Sequence, residues 1–199
     1  MPDEIARQGF AHDARERLPM PEASAMSDAK RAAADALVNG PRKGVYGPFL
    51  PLLRSPQLLE RIAKTGEYLR FDGVLDARIR ELATCAVARH SSNQFEWVMH
   101  APLALKAGVA QGTIDALLQG ARPRELPTDE EAALDFTREL LHSHGTSDAT
   151  YARALAAFGE QGVVELTALI GYFVMVCWVM NVARTPANAG GAALAAFPQ

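Results

Sequence analysis

The chain has 199 residues, 49% of them hydrophobic and 22% charged, which suits one soluble domain built on a single sizeable core. A formal net charge of -3 and the lack of any cluster of Lys and Arg exclude the broad basic surface that nucleic acid requires. The two cysteines, Cys85 and Cys177, match neither a disulfide nor a zinc framework, and the N-terminal stretch "MPDEIARQGFAHDARERLPM" mixes acids and bases where a secretory signal needs an apolar run, so a cytoplasmic protein is expected.

The pattern reads as helical throughout. In "SAMSDAKRAAADALVNG" Ala and Leu recur at helical spacing until Asn39-Gly40 stops the run. The following "PRKGVYGPFLPLLRSP" is rich in Pro and Gly and reads as an ordered loop or broken turn, whose Tyr46, Phe49, Leu50, Leu52 and Leu53 must still find cover. Ser55-Pro56 opens the next helix, with Ser55 as cap residue and proline in the first turn. Asp76 caps another, in which Ile79, Leu82, Ala83 and Ala86 share a face. Between Leu82 and Ala88 no residue is charged, so this helix should be covered on more than one side.

A polar break, "RHSSN", separates it from "QFEWVMHAPLALKAG", where Lys106 lies in the last turn and Gly108 is the stop. Pro102 lies inside that helix, removes the donor for the Val98 carbonyl and should bend the chain just after His100. "QGTIDALLQG" is a short helix. A longer one starts in "RPRELPTDEE", with Thr128 as cap, Glu131 completing a capping box and Leu126 as staple. Ser147 caps "DATYARALAAFG", and an apolar helix follows. The organisation expected is an N-terminal helical extension over 1–40, a helical domain over 41–186 and a flexible tail over 187–199.

The segment "LTALIGYFVMVCWVMNVA" carries no charged side chain and reaches the lower length limit for a membrane span. Glu165 lies just before it, Thr167 and Asn181 lie within it, and nothing else in the chain resembles a span. Burial in a bundle or a subunit contact is the expected use, with no membrane.

The chemistry concentrates in one place. At about 100° per residue, Asn93, Glu96, His100 and Leu103 form a narrow helical stripe. If the two helices around "RHSSN" fold back as a hairpin, Glu81 comes near that stripe. The region "DARIRELATCAVARHSSNQFEWVMHAPLALKAGV" resembles the signature of the carboxymuconolactone decarboxylase family, which also includes the alkyl hydroperoxidase D proteins. In the peroxidase branch a glutamate stands nineteen positions before the histidine of a Cys-x-x-Cys-x-x-x-His motif, the separation of Glu81 and His100 here. The two cysteine positions fall on Asn93 and Glu96, so the redox couple is absent and the Glu-x-x-x-His pair resembles the decarboxylase-like branch.

The resemblance implies an all-α bundle of the alkyl hydroperoxidase D type, a trimer or hexamer with its site near a subunit boundary, acting on a small-molecule substrate without cofactor. It implies His100 as general acid or base, Glu96 as its orienting carboxylate and Glu81 as proton relay or holder of an ordered water. The plain alternative is a helix-stabilising Glu-His pair. Carboxylate and imidazole also suit a metal, but no dense ligand cluster accompanies them and no metal is expected. Tyr46, Phe49, Asn93, Trp97, Tyr172, Trp178 and Asn181 are the candidate pocket residues, although aromatics of this kind also serve as core. Arg54 is a candidate partner for a substrate carboxylate or a solvated loop residue. The competing functions are a thiol peroxidase using Cys85 or Cys177 and a non-enzymatic helical oligomer that binds a small molecule.

Overall fold

A computed structural model describes residues 15–187 and 194. Among them are eight α-helices and no strand: α1 (Asp28–Asn39), α2 (Phe49–Leu52), α3 (Pro56–Glu67), α4 (Ala77–His90), α5 (Gln94–Lys106), α6 (Gln111–Leu118), α7 (Thr128–Ser143) and α8 (Asp148–Ala183). The all-α reading holds, and most predicted stops and caps do their work. Asp76 and Ser147 accept backbone N–H bonds at the starts of α4 and α8, and Gly108 takes the positive φ of 103° that ends the turn after α5. Two expected caps make no side-chain bond, Ser55 before α3 and Thr128. Thr128 is the first helical residue of α7 behind Pro127, no side chain caps that end, and Glu131 binds Arg122 instead of closing a capping box.

α4 organises the molecule, packing against α5, α7 and α8. Every residue from Leu82 to Arg89 is buried, as its uncharged run requires. Ile79, Ala83 and Val87 enter a core shared with α1, α3, α7 and α8. Leu82, Cys85 and Ala86 enter a second core with Trp97, Ala101 and Ala104 of α5 and with α6. One helix thus divides two apolar volumes, and its remaining face is where the polar chemistry collects.

α8 is long and apolar enough to cross a membrane by length and composition, yet 56% of its most apolar window is buried in the fold. Its helical geometry is interrupted at Gly159, with φ 67° and ψ 176°, matching the two separate segments read from the sequence. Beyond α8 the chain first packs back on the bundle. Thr185 and Ala187 are buried, Ala187 against Phe95 and Met180. Leu194 N–H reaches Gln94 Oε1 at 2.7 Å; the rest of the expected tail, and residues 1–14 of the expected extension, lie outside the described residues.

Between α3 and α4 the chain makes a π-helical turn, Tyr68–Asp72, that is held down by one carboxylate. Glu165 of α8 accepts from Tyr68 Oη at 2.7 Å, from Val74 N–H at 2.7 Å and from Gln161 Nε2 at 2.8 Å. A Cβ on Gly73 would lie 2.6 Å from Glu165 Oε2, so the approach needs glycine. Burial pushes the Glu165 carboxyl pKa up, but the three donors outweigh it and hold it below 4.5. Glu165→Ala removes three hydrogen bonds to a buried carboxylate and is expected to lower stability by about 1–3 kcal/mol in urea denaturation at neutral pH. A lowered folded pKa stabilises above the unfolded value and fades below it, so the gap between wild type and variant should narrow as pH falls under 4.5.

Candidate active site

The α4–α5 hairpin is locked by one asparagine. Asn93 is fully buried, and its Oδ1 caps α5 by accepting the Glu96 N–H at 2.9 Å. Its Nδ2 donates to Asn181 Oδ1 at 2.9 Å and to the Cys177 carbonyl at 3.2 Å, while Asn181 Nδ2 donates to the Ser91 carbonyl at 2.8 Å. The two asparagines therefore clamp the hairpin turn onto α8. Both were expected to line a pocket. Their polar atoms are instead consumed by each other and by backbone, which answers the question of how an apolar helix accommodates Asn181.

With α5 fixed in this register, His100 lies between two carboxylates. Its Nδ1 is 2.5 Å from Glu81 Oε2, and its Nε2 is 3.1 Å from Glu96 Oε2. The side chains are 5%, 14% and 5% exposed for His100, Glu81 and Glu96. The Phe173 ring meets the imidazole edge to face at 5.0 Å. Burial opposes charge on the imidazole, but hydrogen bonds to Glu81 and Glu96 outweigh it and raise the His100 pKa to about 9. The ring is then an imidazolium at neutral pH, donating from both nitrogens. Among the described residues no group of three or more His, Cys, Asp or Glu forms a metal-ligand set.

Glu96 and His100 line a cavity of about 80 Å³ together with Arg42, Arg70 and Tyr172. Phe49, Phe95, Met99 and Phe173 supply apolar wall, and Tyr46 also lines it. Tyr46 has a second task, its hydroxyl donating to the Arg42 carbonyl at 2.9 Å. Tyr172 is buried and pushed up to about 12, so it stays a neutral phenol. Its hydroxyl fits under Gly66, where a Cβ would come within 2.2 Å. A larger groove of about 450 Å³ runs between α1 and α3, lined largely by alanines such as Ala29, Ala32, Ala33 and Ala36. Its ionic pair Lys64–Glu60 is solvated, so it offers no convergent polar set and the chemistry belongs to the smaller cavity.

The two tryptophans are not at this cavity. Trp97 is 2% exposed in the core between α4, α5 and α6, and Trp178 is 64% exposed on the outer side of α8. Helical geometry explains the second: Trp178 is rotated about 140° from Phe173 and about 160° from Val176, both of which line the cavity. Arg54 is also elsewhere. It donates to the carbonyls of Leu18, Pro19 and Leu50 and ties the N-terminal segment to α2. Sequence reasoning missed Arg42 and Arg70. Their only local signal is a cation beside aromatic residues in segments broken by Pro, Gly or a π-turn. Cys85 and Cys177 are fully buried, and burial raises both thiol pKa values, so neither is poised as a thiolate.

Residues 56–139 match the model of the Carboxymuconolactone decarboxylase family. No curated protein matches the sequence. Among solved structures, the fold is similar to the AhpD core of an uncharacterized peroxidase-related protein from Ralstonia eutropha JMP134, with TM-score 0.70, 20% identity, and coverage of 86% of this chain and 92% of that one. An uncharacterized peroxidase-related protein from Silicibacter sp. TM1040 gives 0.68 at 15% identity, covering 89% and 95%. The debrominase Bmp8 gives 0.67 at 10% identity, covering 88% and 94%. The AhpD-like bundle expected from the signature is therefore the fold of this chain.

A raised imidazole pKa stabilises the folded state fully below the unfolded value of 6.5 and loses that contribution as pH rises through about 9. Urea midpoints of the wild type should accordingly fall across this interval. His100→Gln should flatten the fall and cost roughly 3–5 kcal/mol at neutral pH, because it leaves buried carboxylates without their cation.

Proposed function

We propose that this chain, whose residues 56–139 match the carboxymuconolactone decarboxylase family on an AhpD-like bundle, is a cofactor-independent acid/base enzyme acting on a carboxylated lactone or related oxo acid. The observation that carries the reading is the His100 imidazolium held between Glu81 and Glu96 beside a small cavity. Decarboxylation breaks the bond between carbon and carboxylate, releases carbon dioxide and leaves the electron pair as an enolate-like charge. The site must then stabilise that charge and return a proton to carbon. An imidazolium does both.

The geometry favours exchanging the two glutamate roles expected from sequence. Glu96 lines the cavity beside His100, whereas Glu81 does not and binds Nδ1 at the shorter distance. Glu81 therefore suits orientation of the ring and support of its charge. Nε2, facing Glu96, suits delivery of the proton, with Glu96 returning one from solvent after product leaves. A thiol peroxidase reading is weaker, since both cysteines are buried with raised pKa values.

The test is turnover of a panel of carboxylated lactones and oxo acids, followed by carbon dioxide release. His100→Gln should abolish it, with helix content checked by circular dichroism; full activity in a folded variant would remove the proposal. In the wild type kcat/KM should fall as pH rises past about 9. Glu81→Gln, which keeps a hydrogen-bonding side chain but removes one supporting charge, should move that limb to lower pH.

We further propose a homo-oligomer in the cytoplasm, built on the uncovered side of α8. Val164, Ala168, Gly171, Met175, Trp178 and Val182 follow one another at alternating steps of 4 and 3, the seam of a helix that packs against its own kind. Val164, Trp178 and Val182 are 67%, 64% and 63% exposed in the single chain. Trp178→Glu is expected to shift light scattering in detergent-free buffer toward the monomer mass; an unchanged assembly would place the contact elsewhere.

A further inference from the structure

Two arginines meet at the cavity from separate loops, and nothing in the acid/base reading explains them. Arg42 comes from the Pro/Gly segment before α2 and Arg70 from the π-helical turn after α3. The Arg42 side chain is only 6% exposed. One of its terminal nitrogens donates to the Ala63 carbonyl at 3.0 Å, and its guanidinium lies 4.4 Å from the centre of the Phe49 ring. Its Nε is buried without a hydrogen-bond partner, the Glu67 carboxylate being 3.8 Å away. Arg70 repeats the pattern, with a buried Nε lacking a partner and the guanidinium 5.1 Å from the Phe71 ring centre. Buried donors of this kind are nearly always satisfied, so two of them beside one cavity call for an acceptor that enters from outside.

We infer that Arg42 and Arg70 form a carboxylate-binding subsite that anchors a small planar organic anion in the cavity of His100. This rests on the proposed use of that cavity as an active site. Guanidinium is the group for this task, because its planar fork matches a carboxylate with two parallel N–H bonds. The aromatic faces of Phe49 and Phe71 hold the arginine planes without using up their N–H groups. The cavity of about 80 Å³ limits the enclosed part of the ligand to a small ring or short chain. Protonated His100 is bracketed by Glu81 and Glu96 and Arg42 lies 3.8 Å from Glu67, whereas among the described residues no ion pair engages Arg70, which leaves the charge that attracts an anion there. The carboxylate held here is one that stays on the ligand, since pinning a departing carboxylate would stabilise the reactant and slow its loss.

Glu165 is the positioning residue of this subsite. By fixing Tyr68 and Val74 it sets the π-turn from which Arg70 reaches the cavity.

The probe is 2-furoate, a five-membered ring with one carboxylate, compared with neutral 2-furamide by titration calorimetry on the full chain. Furoate should bind at millimolar concentration and furamide at least about tenfold more weakly, the loss expected for removing a charge-assisted hydrogen bond. Arg70→Gln, at a half-buried position, should weaken furoate by a similar factor with helix content unchanged. Arg42→Gln should do the same, and Arg42→Lys should restore only part. Equal affinity for acid and amide, no binding of furoate at all, or a folded Arg70→Gln chain that binds furoate normally would overturn the inference. Binding needs no turnover, so a chain that holds furoate through these arginines but transforms no substrate fails the acid/base reading and keeps the subsite.

Discussion

Glu81 and Glu96 come from different helices and end within reach of one imidazole, in a space where neither carboxylate would stand alone. Moving a carboxylate out of water costs several kcal/mol even after relaxation, and two of them would repel. His100 settles both by carrying a proton, and the same arrangement that permits burial raises its pKa to about 9. Structural and chemical roles are therefore the same fact seen twice. The pair that keeps α4 and α5 together also stores a proton beside a cavity, and removing either carboxylate alters the acid strength as well as the fold.

That arrangement depends in turn on register. A slip of one residue at the start of α5 would turn His100 by about 100° and take it out of line with Glu81. Asn93 prevents the slip by capping α5 with one end of its amide and gripping α8 with the other. The asparagine thus fixes the turn, and Glu96 beyond it supplies a second carboxylate to the imidazole. The two cysteines this chain does have lie inside the cores, where the thiolate is penalised.

How much of this was legible in the sequence follows from how far apart the cooperating residues are. The stripe of Asn93, Glu96 and His100 is local, set by helical rotation, and Glu81 came with a hairpin one turn away. The helices themselves were readable because apolar spacing, Asp76, Ser147 and Gly108 act within a few residues. Arg42 and Arg70 were not, because each reaches the cavity from an irregular segment whose path is set by tertiary contacts. For Arg70 the turn that carries it is fixed by Glu165, far along the chain, through Tyr68 and Val74. Trp178 misled for a related reason: an aromatic in an apolar helix signals burial only when its side of the helix is known, and α8 shows one side to the core and another outward.

The helix α8 serves several of these needs at once, because each of its faces answers a different demand. The inward face gives Phe173 to the imidazole, Asn181 to the hairpin clamp and Glu165 to the π-turn. Charge is absent along the rest because those neighbours are apolar, not because the helix has one purpose. A sequence window averages the faces together and reports only that the segment is greasy. Positional reading separates them: the polar residues at 165 and 181 stand about 16 residues apart, close to four and a half turns, and each meets a polar demand of the turn packed against it. An apolar helix that spends its few polar side chains on fixing a loop and a hairpin holds the His100 cavity in shape, and its uncovered apolar side is the surface on which the proposed assembly would bury most area.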